Sequence, residues 1–154
     1  MKKWKLILLV LTGLFIVLQF TNPERTNPPV QQDGLITLQA PADVTASLHA
    51  ACYDCHSYET KWPLYARIAP ASWLVASDVN DGRKKMNLSR WPADPAQAAR
   101  QLDRINEAVD YREMPPKKYT LIHTDARLTD AQRKAVLDWT AATADKLRAA
   151  NTNQ

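Results

Sequence analysis

The stretch "ACYDCHSYETKWP" (residues 51–63) contains both cysteines of the 154-residue chain. Cys52 and Cys55 are separated by two residues, and His56 follows the second cysteine directly. A chain that uses so little cysteine has placed its only two thiols within one helical turn of each other, against an imidazole. This pattern predicts a site built from all three side chains, and the fold has to present them together.

An apolar segment precedes this region at the N-terminus. Residues 6–20 carry no charge and follow three lysines within the first five positions. This stretch is short for a membrane-spanning helix, but with Trp4 as an interfacial ring and Lys5 extending to the surface it can just span the membrane. A cleaved signal peptide has the same basic start and apolar middle. The first stretch that suits cleavage, "QAPA" at 39–42, lies far downstream. We therefore expect residues 1–20 to remain as an anchor in membrane lipid.

The charge balance favours an exported domain over a nucleic-acid-binding one. The formal net charge is +4, but excluding the three N-terminal lysines from the twenty basic residues leaves seventeen against sixteen acidic residues. The positive-inside rule keeps those lysines in the cytoplasm. We expect no nucleic acid partner, and a single-pass protein of the cytoplasmic (inner) membrane whose domain faces the periplasm or the cell exterior. A lone pair of thiols is not kept reduced there.

A segment rich in Pro, Asn, Gln and Thr, residues 21–41, follows the anchor. It has little apolar surface to bury, and we expect a semi-extended linker. Within it, "GLITL" at 34–38 is the part that suits an ordered arm lying on the domain. The domain itself is expected to span residues 42–150.

The first two expected helices of the domain surround the cysteine pair. Apolar residues at positions 44, 48 and 51 continue at helical spacing in Cys52 and Cys55, which predicts that both cysteines lie on the apolar face of one helix. The stretch "APASWLVASDVNDG" (69–82) predicts a second helix, with Pro70 near its first turn and Gly82 as its end.

Two further helices are expected towards the C-terminus. Asp94 followed by Pro95 combines a cap with a favourable first helical residue, and Thr129 with Gln132 forms a capping box. Their apolar stripes are Ala98, Leu102, Ile105 and Val109 in the first, and Val136, Leu137, Thr140, Ala144 and Leu147 in the second, with Trp139 beside them. There is no alternating strand pattern, and three glycines provide little hairpin chemistry. The predicted fold class is all-α.

Four kinds of site use cysteine and histidine in this pattern. A redox dithiol of the thioredoxin type belongs in a βαβ setting, and a zinc site needs four ligands where only His49 and His123 remain. A short disulfide leaves His56 unexplained. Covalent attachment of haem uses all three residues, because the thiols of Cys52 and Cys55 add to the porphyrin vinyl groups and His56 binds the iron. We expect one haem c per chain, which would also supplement a thin helical core.

Two stretches carry a resemblance to a known family: "CYDCHSYETKWPLYARIAPASWLVASDVNDGRKKMNLSRW" (52–91) and "EMPPKKYTLIHTDARLT" (113–129). Together they resemble the bacterial haem-binding-domain family of membrane-anchored, cytochrome c-like monohaem proteins. The resemblance implies a cytochrome c-like bundle of about four helices around one covalent haem, and electron transfer. This chain departs from the family pattern at Tyr58, where a small polar residue is usual, and at Arg112, where a glycine often precedes Glu-Met-Pro.

A second axial ligand is expected from Met114. A six-coordinate electron-transfer haem takes Met or His on its other face. Two prolines follow Met114 in "YREMPPKKY" (111–119) and stiffen its loop, and the family resemblance also supports it. Met86 is the alternative ligand. His123 is expected to cap or bridge the loop near the haem edge, and His49 lies too close to the motif on the same helix to reach the opposite face.

The sequence thus favours a membrane-tethered, monohaem c-type cytochrome that transfers single electrons on the periplasmic side. It does not identify the redox partner proteins. No set of nucleophile, base and orienting residue accompanies the motif, so an enzyme is not expected. The alternative function is a haem-based ligand sensor or a peroxidase-like module with an open or displaceable sixth position, for which His123 and Glu113 would be the nearby polar groups.

Overall fold

Helices form the framework of the chain. The computed structural model describes residues 2–152. It places there α1 (Lys3–Leu18), α2 (Gly34–Thr37), α3 (Ala42–Ala51), α4 (Tyr53–His56), α5 (Ala71–Lys85), α6 (Pro95–Asp110), α7 (Lys117–Thr120) and α8 (Asp130–Thr152). Within these described residues there is no β-strand, only an isolated bridge between Gln32 and Arg90. The four longer helices after α1 are α3, α5, α6 and α8, so the all-α prediction is confirmed.

The pair α6 and α8 makes the most extensive helix–helix contact. The side chain of Asp94 accepts a hydrogen bond from the Gln97 N–H at 2.8 Å, and Pro95 is the first residue of α6. The capping box at the start of α8 is reciprocal, because the Gln132 N–H donates to Thr129 Oγ1 at 3.2 Å and the Thr129 N–H donates to Gln132 Oε1 at 2.9 Å. Both predicted helix starts are confirmed.

The core between these helices follows the predicted stripes. The buried positions of the two helices are Ala98, Ala99, Leu102, Ile105, Val109, Val136, Thr140 and Ala144. The Asn106 amide donates to Thr140 Oγ1 at 2.7 Å and to the Leu137 carbonyl at 2.8 Å. This polar link fixes the register of α6 against α8 inside an otherwise apolar contact. Helix α3, which ends just before Cys52, also packs on α8.

The cysteine region consists of two helical pieces. α3 ends at Ala51, Cys52 leaves helical geometry with φ −124°, and α4 begins at Tyr53. The prediction that both cysteines lie on the face of one helix is therefore wrong. A continuous helix of 3.6 residues per turn would turn Tyr53 to the side opposite Val44. The break instead allows Tyr53 to be buried, where its hydroxyl donates to Asp33 Oδ2 at 2.8 Å.

The course of α5 also differs from the prediction, because the helix does not end at Gly82 but continues to Lys85. Gly82 is buried where α5 passes α4. A Cβ atom at this residue would lie 2.4 Å from the carbonyl oxygen of Cys55. The missing side chain therefore allows a close approach of two backbones rather than a helix end.

The segment 21–41 is held against the domain. Arg83 donates to Asn27 Oδ1 at 3.0 Å, and the Gln32 N–H donates to the Ser89 carbonyl at 3.1 Å. The short helix α2 buries Leu35 in the main core. The ordered arm at 34–38 is therefore what the structure shows, and the rest of the segment is extended but pinned rather than a free tether. The boundaries of linker and domain at 41 and 42 stay a prediction.

The N-terminal helix and the turn after it form one apolar stretch, Lys3–Thr21, that is long and apolar enough to cross a membrane. None of it is buried against the domain core. A signal sequence has the same length and composition, so retention of the segment and the side of the membrane on which the domain lies stay predictions.

Candidate functional site

The histidine of the motif is held by the loop after α5. His56 Nδ1 donates a hydrogen bond to the carbonyl oxygen of Met86 at 3.1 Å. A proton on Nδ1 leaves the lone pair on Nε2, which is the arrangement of metal-ligating imidazoles. Burial also lowers the pKa of His56, and this favours the neutral ring. The site therefore presents Nε2 of a neutral imidazole, and the hydrogen bond of Nδ1 to Met86 fixes the orientation of the ring.

The two thiols lie beside this imidazole. Cys52 is buried and Cys55 is half-buried. The backbone N–H of His56 donates to the Cys52 carbonyl at 2.9 Å, so the three residues share one turn. Burial, with Cys55 adding to it, raises the pKa of Cys52 to about 12. Burial, together with Asp78 and Asp54, raises the pKa of Cys55 to about 11.

These raised pKa values discriminate between the possible sites. A redox dithiol depends on a thiol whose pKa is lowered so that it attacks as the thiolate, and here both pKa values move in the opposite direction. A zinc site needs further ligands, and among residues 2–152 no three His, Cys, Asp or Glu side chains are grouped to hold a metal ion. The raised pKa values of the thiols therefore disfavour the redox dithiol, and the described residues do not assemble the ligand set that a zinc site needs.

The segment after Met114 is fastened over the motif by two side-chain contacts. The Tyr119 hydroxyl donates to Asp54 Oδ2 at 2.7 Å, and Lys118 Nζ pairs with the Asp78 carboxylate at 2.8 Å. The first contact joins α7 to α4 and the second joins α7 to α5. Met114 itself is half-buried at the start of this segment. The structure thus joins the helix that follows Met114 to the cysteine turn.

The other methionine candidate, Met86, lies on the His56 side of the site. Its backbone carbonyl accepts the imidazole hydrogen bond, and its side chain packs half-buried against the main core. Met86 is held on the Nδ1 side of the imidazole, whereas a sixth ligand must lie beyond the metal that Nε2 would bind. This arrangement favours Met114 over Met86.

The two remaining histidines have neighbours of their own. His123 Nε2 is hydrogen-bonded to the Tyr65 hydroxyl at 2.7 Å, and its ring stacks on Tyr119 with centroids 4.2 Å apart. His123 therefore links the segment after Met114 to the turn at residues 64–67. His49 stacks on Tyr53 at 3.7 Å.

Arg83 is a supporting residue to which the sequence analysis assigned no role. Its guanidinium donates to the Ser57 carbonyl at 2.7 Å, the Thr26 carbonyl at 2.9 Å, and Asn27 Oδ1 and Thr60 Oγ1 at 3.0 Å each. One side chain thus joins α5, the residues after the motif and the segment 21–41. The available signal was the Gly-Arg pair at 82–83 inside the resembling stretch, but the sequence did not show which partners it meets.

Comparison with known proteins identifies the family of the chain. The sequence profile described as the haem-binding domain matches residues 13–142. The chain belongs to the haem-binding domain family. The curated protein "Cytochrome c peroxidase Ccp" of Escherichia coli (strain K12) is 31% identical over 94 residues, which cover 58% of this chain but only 20% of that protein. No solved structure matches the chain.

The residues of this haem-binding domain fit the group that its family binds. The donor set is one neutral imidazole, held through Nδ1 by the Met86 carbonyl, and two un-ionised thiols in the same turn. The backbone of Cys55 is pressed against Gly82, which fixes the position of α4. Sequence and structure therefore agree on haem as the cofactor of this domain.

Proposed function

We propose that this haem-binding domain is a membrane-tethered, monohaem c-type cytochrome that transfers single electrons on the periplasmic side. The observation that carries the proposal is the hydrogen bond from His56 Nδ1 to the Met86 carbonyl at 3.1 Å, with Cys52 and Cys55 in the turn before it. Two thiols that hold a porphyrin edge, next to an imidazole whose ligating nitrogen is free, account for the whole motif.

Met114 is the proposed sixth ligand. The Met114 N–H donates to the Ala108 carbonyl at 3.0 Å, and Tyr119 and Lys118 fasten the following helix to Asp54 and Asp78. A thioether binds iron weakly, so a loop that is already ordered reduces the entropy lost on ligation. Met86 is the weaker candidate, since its backbone stands on the other side of His56.

The bound haem supplies one-electron chemistry between ferrous and ferric iron. The chain contributes a fixed proximal imidazole and a fastened Met114 loop. Because each is held by contacts that do not involve the metal, neither ligand has to rearrange when the charge changes. Ligation by Met rather than by a second His also favours a higher reduction potential. These properties suit an electron carrier.

The proposed location rests on the apolar N-terminal stretch and the lysines before it. Lys3–Thr21 is long and apolar enough to act as an anchor, and three lysines within the first five positions favour a cytoplasmic N-terminus. The domain then lies on the periplasmic or outer side, where its redox partners are proteins that neither sequence nor fold identifies.

A peroxidase-like module is the second candidate, because the curated relative carries the name of a cytochrome c peroxidase. The pair of Tyr65 and His123, with a 2.7 Å hydrogen bond, is the polar group near Cys55 that acid–base chemistry would use. Such chemistry needs a sixth position that is free or easily opened. The state of the sixth position therefore separates the two functions.

The experiment compares Met114→Ala with the matched variant Met86→Ala in the purified, haem-loaded protein. The wild type is expected to be low-spin in both oxidation states, to show the weak far-red sulfur-to-iron band when oxidised, and to bind carbon monoxide slowly when reduced. Met114→Ala should abolish the band and open the site to carbon monoxide, whereas Met86→Ala should leave both properties unchanged.

The opposite pattern between the two variants would assign Met86 as the ligand. A wild type that is already high-spin and binds carbon monoxide freely would refute the carrier proposal in favour of the sensor or peroxidase-like module. Turnover of hydrogen peroxide that is lost in His123→Phe would then indicate the peroxidase-like module, and no turnover in the wild type would indicate the sensor.

A further inference from the structure

The junction between the N-terminal helix and the domain is fixed by hydrogen bonds. The Gln19 side chain pairs with the backbone of Ala69, accepting from its N–H at 2.9 Å and donating to its carbonyl at 3.3 Å. The Trp73 indole N–H donates to the Thr21 carbonyl at 3.0 Å. The last residues of the apolar stretch are therefore hydrogen-bonded to the residues at the start of α5, and no flexible hinge separates them from the domain.

Large apolar side chains surround this junction without being covered. The exposed fractions are 87% for Phe20, 44% for Ile68, 38% for Trp73 and 57% for Leu74. Ile68 precedes the residue that Gln19 holds, and Trp73 is itself part of the junction. Their common feature is a position beside the end of α1, so we call Phe20, Ile68, Trp73 and Leu74 the junction patch.

We infer that the junction patch rests on the lipid bilayer that contains α1, so that the domain lies on the membrane surface in one fixed orientation. The inference rests on the proposed anchor. A bilayer that surrounds α1 must end near Thr21, and the patch begins at the same level because hydrogen bonds join Thr21 to Trp73 and Gln19 to Ala69.

The chemistry of the junction patch suits the interface between headgroups and acyl chains. A Trp ring is amphipathic and concentrates at that level of membrane proteins, and Trp73 has its N–H paired while its ring stays open. Arg67 is exposed directly before Ile68 and can pair with lipid phosphates. Insertion of exposed apolar side chains into an adjacent membrane lowers the free energy, because their apolar surface is removed from water.

The consequence concerns the orientation of the haem site. α5 carries Trp73 in its first turn and Gly82, which touches Cys55, near its other end. A bilayer contact at the first turn therefore fixes the direction of the helix that positions the cysteine turn. The orientation at which a redox partner meets the domain would be set by this contact and not by a flexible linker.

The test places a photo-crosslinking residue at single exposed positions in the full-length, haem-loaded protein. Ile68→p-benzoylphenylalanine and Leu74→p-benzoylphenylalanine probe the patch, Leu9→p-benzoylphenylalanine probes α1, and Ile36→p-benzoylphenylalanine is the matched control. Ile36 is an apolar residue that is 79% exposed on α2, in the cleft beside His49. Each variant is irradiated in phosphatidylethanolamine–phosphatidylglycerol vesicles, and lipid adducts are counted by mass spectrometry.

The expected result is abundant lipid adducts at Leu9, Ile68 and Leu74, with at least a fivefold excess over Ile36. Adducts at Leu9 with only the Ile36 level at Ile68 and Leu74 would overturn the junction-patch inference and leave the anchor in place. Adducts of the two patch positions with protein instead of lipid would overturn it as well. No adduct at Leu9 would show that the anchor itself is absent, and the inference would fall with it.

Discussion

Gly82→Ala is the substitution that probes the support of the site most sharply. The added Cβ would lie 2.4 Å from the Cys55 carbonyl oxygen, 3.0 Å from its carbonyl carbon and 3.2 Å from its Cβ. An ordinary carbon–oxygen contact is about 3.3–3.6 Å, so α5 and α4 would have to separate by about 1 Å. The obstacle is backbone, which cannot rotate out of the way as a side chain can.

The magnitude follows from two opposing terms. Overfilling a packed contact costs about 1–3 kcal/mol, and replacing a helical glycine by alanine returns about 1 kcal/mol. The difference is a net loss of up to about 2 kcal/mol in the free energy of unfolding, and we expect less covalently bound haem because Cys55 is displaced. Denaturant titration measures the free energy of unfolding, provided that its dependence on denaturant concentration is unchanged. The ratio of haem to protein measures the amount of attached haem.

The matched control is Gly13→Ala, the same change in helix α1, where an added Cβ meets nothing within 4 Å. It should leave the haem content unchanged and should not lower the free energy of unfolding, because alanine is the better helix former and meets no obstacle there. If Gly82→Ala is as stable as the wild type and carries the full amount of haem, the close approach of α5 to Cys55 is not a constraint and the account of this glycine is wrong.

Three other substitutions test separate contacts. Arg83→Lys keeps the charge but cannot reach all four acceptors of the guanidinium, so we expect a loss of about 2 kcal/mol in unfolding free energy; a midpoint equal to that of Lys84→Arg, an exposed control, would contradict this. Arg112 has φ 57° and pairs only at the surface with Asp130, so Arg112→Gly should raise the stability by up to about 1 kcal/mol, and a lower melting temperature would refute the strain. Tyr119→Phe removes the 2.7 Å hydrogen bond to Asp54, and carbon monoxide binding to the ferrous protein should become about fivefold faster because the Met114 loop opens more easily; Tyr111→Phe, at an exposed tyrosine, should not change the rate.

The parts of the fold that the sequence predicted correctly are those that depend on local chemistry. Asp94 with Pro95 and Thr129 with Gln132 mark helix starts through contacts that span three residues. The apolar stripes of α6 and α8 depend on spacing within one helix. Such signals can be read without knowing what lies opposite.

The predictions that were wrong required distant partners. The helix break at Cys52 buries Tyr53 and gives it Asp33, twenty residues earlier. Gly82 looked like a helix end until its close contact with Cys55 was known, since a glycine at an end and a glycine at a crossing look identical in sequence. The linker expected at 21–41 stays a prediction; the structure adds that Arg83 donates to Asn27 Oδ1 and that the Gln32 N–H donates to the Ser89 carbonyl, contacts that the polar composition of the segment could not reveal.

The candidate site divides in the same way. Cys52, Cys55 and His56 were predicted from spacing alone, because the proposed covalent attachment and ligation would take place within one turn. The orienting Met86 carbonyl is thirty residues away and has no side-chain signature. Arg112 was noted only as a departure from the family pattern, and its positive φ gives the physical reason why a glycine would suit that position.

The central claim is that haem is attached covalently through Cys52 and Cys55. The most direct measurement denatures the purified full-length protein, extracts it with acidified organic solvent, and records the alkaline pyridine spectrum of both fractions. The account predicts that one haem per chain stays with the polypeptide, that its spectrum is that of a haem with two saturated vinyl groups, and that Cys52→Ala/Cys55→Ala retains none after extraction. Haem that passes into the solvent from the wild type, or a wild type purified from a haem-competent host without haem, would contradict it.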